Sequence, residues 1–210
     1  MKNYLFSISL FILIPFFIGP NEPTKIESLK IGAKAPMSSH KMKEVSGKEF
    51  SLNSLKQENG LLVIFSCNTC PFVIGNDNMD GWENRYNETY EFCKLHRIGM
   101  VLINSNEAKR DRGDSFKDML QHSKNKMYDS PYLIDKNHLL ADAFGASTTP
   151  HVFLFNNELE LVYKGAIDDN VKSKKDVKET WLKNAVSSLG KGEKIAKPET
   201  RNSGCSIKRL

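Results

Sequence analysis

Gly60-Leu61-Leu62-Val63-Ile64-Phe65-Ser66-Cys67-Asn68-Thr69-Cys70-Pro71 is the stretch from which the rest of the chain is read. Leu61 to Phe65 is a continuous apolar run with Gly60 before it and turn chemistry after it, the pattern of a strand buried on both faces. The cysteines leave that strand at its carboxyl end and precede a helical segment. Unpaired amides and the positive end of a helix dipole stabilise a thiolate there, lowering the pKa of the first cysteine, Cys67, from about 8.5 towards 7 or below. A thiolate within reach of partners attacks a disulfide, and the two-residue spacing brings the second thiol close enough to resolve the mixed disulfide reversibly. Half of a zinc site has the same spacing, but zinc needs two more ligands, and Cys93 and Cys205 belong to no second pair of this kind. The position after a buried strand favours redox chemistry over zinc and over an inert structural disulfide.

Outward from this stretch the pattern is strand, helix, strand, helix, hairpin, helix. Trp82, Tyr86, Tyr90 and Cys93 recur at helical spacing, with Cys93 as a buried hydrophobe, and Gly99 to Ile103 is a second buried strand. A charged stretch, Asn104 to Asp114, leads to a short helix from Ser115 to about Ser123. Pro131 to Asp135 reads as an edge segment, and Leu139 to Phe144 as a short helix stopped by Gly145. His151–Phe155 and Leu159–Tyr163 flank Asn156-Asn157-Glu158 as a hairpin with a three-residue loop. Val177, Trp181, Ala185 and Leu189 form the stripe of a closing helix. Upstream, Ser46-Gly47-Lys48 predicts another hairpin. The order implies a mixed sheet with helices on its faces.

The chain has 210 residues, with 30 Lys+Arg against 25 Asp+Glu, and 40% hydrophobic residues. That is enough for one domain with its own core, without disulfide staples or a structural metal. The modest, interleaved positive charge gives no reason to expect a nucleic-acid partner. Tyr4 to Ile18 is an apolar run after Lys2, followed by polar, helix-breaking residues, which is the layout of a secretory signal peptide. It falls short of the roughly 20 apolar residues of a spanning helix. Phe17-Ile18-Gly19 is not a small-x-small cleavage triplet, so cleavage and retention as a membrane-tethering signal anchor both stay open. Either route puts the cysteines in a periplasmic or other extracytoplasmic, oxidising compartment. The expected organisation is a signal segment over 1–20, a linker over 21–30, the domain over 31–190, and a basic, flexible, loosely packed tail over 191–210.

Thr149-Pro150 precedes the hairpin strand. A cis peptide there would present the Thr149 backbone to an incoming extended chain, whereas a trans proline would simply mark a strand start. At these residues the chain resembles a thioredoxin-fold redoxin, in the broad group that includes the alkyl hydroperoxide reductase/thiol-specific antioxidant family and the exported cytochrome-c-maturation thioredoxins. The resemblance covers about Ile31 to Leu189. It rests on Gly32-Ala33-Lys34-Ala35-Pro36, Leu61 to Pro71, Pro131 to Asp135, Thr149-Pro150 and Asp168-Asp169-Asn170. It implies a thioredoxin-like α/β fold, a central mixed sheet flanked by helices with an N-terminal hairpin extension. It also implies that Cys67 is the attacking thiolate, Cys70 the resolving thiol, and Pro150 a cis proline facing them.

Two departures stand out. Peroxidatic redoxins usually carry Pro-x-x-x-Thr-x-x-Cys, whereas here Val63 and Cys67 occupy the Pro and Thr places before Cys70. Ordinary thioredoxins have a buried acid in the strand before the pair, and Leu61 to Phe65 contains none. No proton acceptor is therefore assigned.

The expected function is an exported thiol–disulfide oxidoreductase in redox homeostasis, acting on protein thiols and disulfides through a mixed disulfide and served by a membrane or soluble electron donor. It needs neither an organic cofactor nor a metal. The alternatives are an antioxidant thiol peroxidase and a copper-binding assembly factor using Cys67, Cys70 and His151. Asn68 and Thr69, with Pro71 after the pair, would tune the potential through hydrogen bonds to sulfur. His151 reads as a thiolate-stabilising imidazolium, a neutral metal ligand or merely a strand-start residue. Cys205, in a polar tail, is either a third redox thiol, a partner for another chain, or a leftover thiol.

Overall fold

The computed structural model describes residues 27–210. The signal segment and most of the 21–30 linker lie outside the described residues. In chain order the elements are β1 (Met42–Glu44), β2 (Glu49–Phe50), α1 (Leu52–Leu55), β3 (Gly60–Ser66), α2 (Pro71–Ile74), α3 (Tyr86–Leu95), β4 (Ile98–Asn104), α4 (Phe116–Lys126), β5 (Tyr132–Ile134), α5 (Leu139–Phe144), β6 (Thr148–Thr149), β7 (His151–Phe155), β8 (Leu161–Gly165), α6 (Trp181–Gly190) and β9 (Cys205–Ser206). Among the described residues, no helix is long and apolar enough to cross a membrane.

Seven strands form one mixed sheet in the order β2-β1-β5-β4-β3-β7-β8. The two continuous apolar runs pair in parallel from Gly60 with Ile98 to Ser66 with Asn104, and every residue of both strands is buried. Alternation divides β3 between two cores. Leu62 and Ile64 face Tyr86, Cys93, Leu182 and Val186 of α3 and α6, while Leu61, Val63 and Phe65 face Leu52, Leu140 and Phe144 of α1 and α5. On the second face Phe144 packs edge-on against Phe65, Phe153 and Phe155 at 5.3–5.5 Å between centroids. Such pairs contribute about 0.5–1.5 kcal/mol each beyond area burial.

Local signals account for several boundaries. Ser115 and Asp118 close a capping box at the start of α4, with Ser115 Oγ accepting from the Asp118 amide at 3.0 Å. Gly145 ends α5 in the left-handed region at φ 61°. The N-terminal hairpin forms as expected, β1 against β2.

Other boundaries differ. The Pro131–Asp135 segment is an interior strand rather than an edge, because β1 pairs along its free side. The hairpin loop spans 156–160, since Asn156 Oδ1 accepts the amides of Glu158 and Glu160 and widens the turn. Residues 191–210, expected as a flexible, loosely packed extension, instead lie along the domain. Pro198 and Thr200 exchange backbone hydrogen bonds with Lys164 on the β8 edge, Lys164 N to Pro198 O at 3.0 Å and Thr200 N to Lys164 O at 3.1 Å. Ile207 is buried in the α1/α5 core, and Arg209 pairs with Asp142 at 2.6 Å. The basic composition of this segment concealed one apolar anchor and two strand-like pairings.

Candidate active site

Cys67 and Cys70 leave the carboxyl end of β3, at the centre of the sheet. All four cysteines stand as thiols. Cys70 is the N-cap of α2, and its carbonyl accepts the amides of Val73 and Ile74 at 2.8 and 2.9 Å. The helix is a single turn, so its dipole is small. Whatever polarises the sulfurs comes from specific neighbours.

The Thr149–Pro150 peptide is cis, and Thr149 faces both sulfurs. Its hydroxyl lies 3.2 Å from Cys67 Sγ, and its carbonyl accepts from the Cys70 thiol at 3.2 Å. The pair and this loop are thus brought together. Accessibility is different from expectation: Cys67 is only 1% exposed and Cys70 3%. The cause is the chain's own tail. β9 pairs antiparallel with β6, Cys205 opposite Thr149 and Ser206 opposite Thr148, and the Cys205 amide donates to Cys70 Sγ at 3.4 Å. Gly204 allows this close approach, because a Cβ there would collide with the Thr149 carbonyl. The backbone edge expected to receive an incoming extended chain already holds one.

The ionisation order also differs from the roles implied by resemblance. A hydrogen bond from the Cys67 thiol, aided by the thiol and amide of Cys205 and opposed by burial, pulls Cys70 down to about 5. The same sulfur–sulfur hydrogen bond, then burial and the negative charge of Asp114, pushes Cys67 well above the ordinary thiol range. The pair therefore gives up one proton easily and the second with difficulty, and the single charge rests on Cys70.

The charged stretch before α4 supplies a buried carboxylate beneath the pair. Asp114 is completely buried beneath the loop between the cysteines and accepts four hydrogen bonds. These come from the Asn68 amide (2.8 Å), the Thr69 hydroxyl (2.9 Å), Asn104 Nδ2 (2.8 Å) and Asn106 Nδ2 (3.1 Å). Tyr132 donates to Asn68 Oδ1 at 2.9 Å, and Asn68 Nδ2 donates to the Gly113 carbonyl at 2.9 Å. Asn68 and Thr69 thus spend their polar groups on oxygen acceptors and not on sulfur, as oxygen is the stronger acceptor. Their effect on the couple is through loop position and the carboxylate's charge. Arg110 braces the cradle, donating to the Asn104 and Asp135 carbonyls at 2.8 and 3.1 Å. Asp114 lies 45 residues after Thr69 in the chain, so only its place after a buried parallel strand, where ligand sites collect, hinted at it.

Pro71 begins α2 at its first position. His151 is buried against Phe153, and burial followed by the positive charge of Lys164 holds it down at about 3. Its Nδ1 accepts from the Ser147 amide at 3.3 Å. A neutral, backbone-bonded ring rules out the imidazolium role. Cys93 is buried in the α3 core, and burial pushes it up to about 12. Asp168, part of the Asp168-Asp169-Asn170 element, is bonded to Arg85 Nε at 2.6 Å and Trp82 Nε1 at 2.8 Å. It is a structural tie for the segment between α2 and α3.

A mixed sheet flanked by helices, with a cysteine pair at the end of its central strand and a cis proline facing it, defines a thioredoxin-like redoxin. Comparison with known proteins agrees. The redoxin family model matches residues 30–180, and the chain belongs to that family. Among solved structures it is similar to an uncharacterized conserved protein from Geobacillus kaustophilus, at 26% identity and TM-score 0.75 over 86% of this chain and 93% of that one. A hypothetical protein from Sinorhizobium meliloti 1021 is similar at 29% identity and TM-score 0.74, over 88% and 97%. The peroxidoxin BcpB from Mycobacterium tuberculosis shares the fold at 12% identity and TM-score 0.55, over 77% and 96%. No curated protein matches the sequence.

Proposed function

We propose that this redoxin exchanges a Cys67/Cys70 dithiol–disulfide couple with protein thiols and disulfides, through a mixed disulfide. The observation that carries this reading is the placement of both sulfurs against Thr149 beside the cis Pro150, Cys67 against its hydroxyl and Cys70 against its carbonyl. A thiolate next to a thiol is the arrangement that dithiol exchange needs: one sulfur attacks and the other resolves. The couple supplies the redox chemistry itself. That the exchange takes place outside the cytoplasm, served by a membrane or soluble electron donor, rests on the leader pattern of Tyr4 to Ile18.

Turbidimetric reduction of insulin by the full-length protein tests the assignment. Cys67→Ser and Cys70→Ser are each expected to lower turnover by at least about a hundredfold, as loss of a covalent nucleophile or its partner does. Turnover at the wild-type rate in either variant rejects the couple as the exchange centre.

A further inference from the structure

The tail that covers the couple brings a third sulfur to it. Cys205 is partly exposed, whereas Cys67 and Cys70 are 1% and 3% exposed, so it is the outermost sulfur of the group. Its main chain is paired with Thr149, and its amide donates to Cys70 Sγ. An extended segment hydrogen-bonded to the edge beside the couple, with a cysteine opposite Thr149, is the placement a partner's cysteine needs for exchange. The tail is tied on both sides of this point. Asn202 bonds to Thr148 upstream; downstream, the Ile207 amide donates to the Ser147 carbonyl at 3.0 Å and the Lys208 amide to Asn106 Oδ1 at 2.9 Å.

Resting on the exchange reading above, we propose that Cys205 is a third exchanging thiol, through which an intramolecular Cys70–Cys205 disulfide links the buried couple to protein partners at the surface. Starting from the oxidised Cys67–Cys70 couple, the Cys205 thiolate attacks Cys70 Sγ. The Cys70–Cys205 bond forms, the Cys67–Cys70 bond breaks, and Cys67 leaves as a thiolate that takes up a proton. A partner thiolate then attacks Cys205 Sγ, releasing Cys70 as a thiolate and leaving the partner bonded to Cys205. The partner's second thiolate attacks its own sulfur in that bond and frees Cys205. The partner dithiol is oxidised to a disulfide, the couple is reduced to a dithiol, and the partner's two protons pass to Cys67 and Cys205. Cys205 has only lent its thiolate, regained its proton, and left the charge on Cys70. Every step reverses, so a partner disulfide is reduced along the same route.

The charge distribution suits this sequence. While Cys70 is ionised, burial and then the Cys70 neighbour push Cys205 up to about 11, so the reduced protein keeps the outer thiol protonated. When Cys70 is bonded to Cys67, its charge is gone and that opposition is removed.

Two measurements test the relay. Cys67→Ser protein treated with diamide is mapped by mass spectrometry without reduction, and a Cys70–Cys205 bond is expected as the main product. Its absence overturns the proposal. Insulin exchange is then compared between wild type and Cys205→Ser, with the Cys67/Cys70 reduction potential measured for both. The expected result is at least a tenfold fall in rate at an unchanged potential, and a rate at or above wild type overturns the relay in favour of a tail that merely opens. The Cys67→Ser and Cys70→Ser rates in the same assay separate the two readings. If these variants are inactive while Cys205→Ser is not, only the relay fails; if they too exchange normally, the couple itself is misassigned.

Discussion

Cys70 owes its acidity first to Cys67, in the same short motif, and then to Cys205 from the far end of the chain, and its titration has a thermodynamic consequence. Its folded pKa of about 5 lies below the ordinary thiol value of 9.0. A depressed pKa contributes stability that is fully present above the unfolded value and is lost as pH falls through the folded one. The reduced protein is therefore expected to gain stability as pH rises from about 5 to about 9. Urea midpoints measured across that window check this, and the part of the slope above pH 6.5, where His151 no longer titrates in either state, should vanish in Cys70→Ser. A wild-type slope that survives this substitution would assign the effect to another group. The two cysteines and Thr149-Pro150 were legible because spacing and punctuation are local properties. Asp114 was not, because its four donors converge through space from two separate segments, Asn68-Thr69 and Asn104 to Asn106.

At the scale of elements, periodicity located most helices and strands but misjudged their partners. The helical stripe from Trp82 onward divides at Tyr86: Glu83–Arg85 is a 3-10 turn, and α3 follows it. The pair that fixes this junction is Arg85 with Asp168, both about 95% buried, with Trp82 donating to the same carboxylate. Removing one partner of a buried ion pair leaves an uncompensated charge. Asp168→Ala is thus expected to destabilise the protein by about 3–5 kcal/mol, read from chemical denaturation. A loss below about 1 kcal/mol would mean that water reaches Arg85 and takes over the role. The closing helix shows the same limit, since Val177 lies on the predicted stripe, yet α6 begins at Trp181.

Across the whole molecule, the tail is the feature that most alters the reading. Its contacts reach β8, the Thr148–Thr149 edge, the loop after β4 and α5, so it spans the end of the sheet where the couple lies. Gly204→Ala is expected to lift this segment, because the added Cβ has no room beside the Thr149 carbonyl. The rate of Cys70 alkylation by iodoacetamide should then rise at least about tenfold, as a buried thiolate becomes reachable. An unchanged rate would mean that the tail is not what seals the couple.

What the sequence determined by itself was the fold class and the position of the cysteine pair. Both depend on patterns that act over a few residues: apolar runs that must be buried on two faces, glycine and proline that end elements, and a spacing that lets two sulfurs meet. Which sulfur holds the charge, what lies beneath the loop and what covers it were decided only by tertiary structure. Those outcomes depend on hydrogen bonds and burial supplied by Asp114, Thr149 and Cys205, and the chain brings these residues to one place only after the sheet has formed.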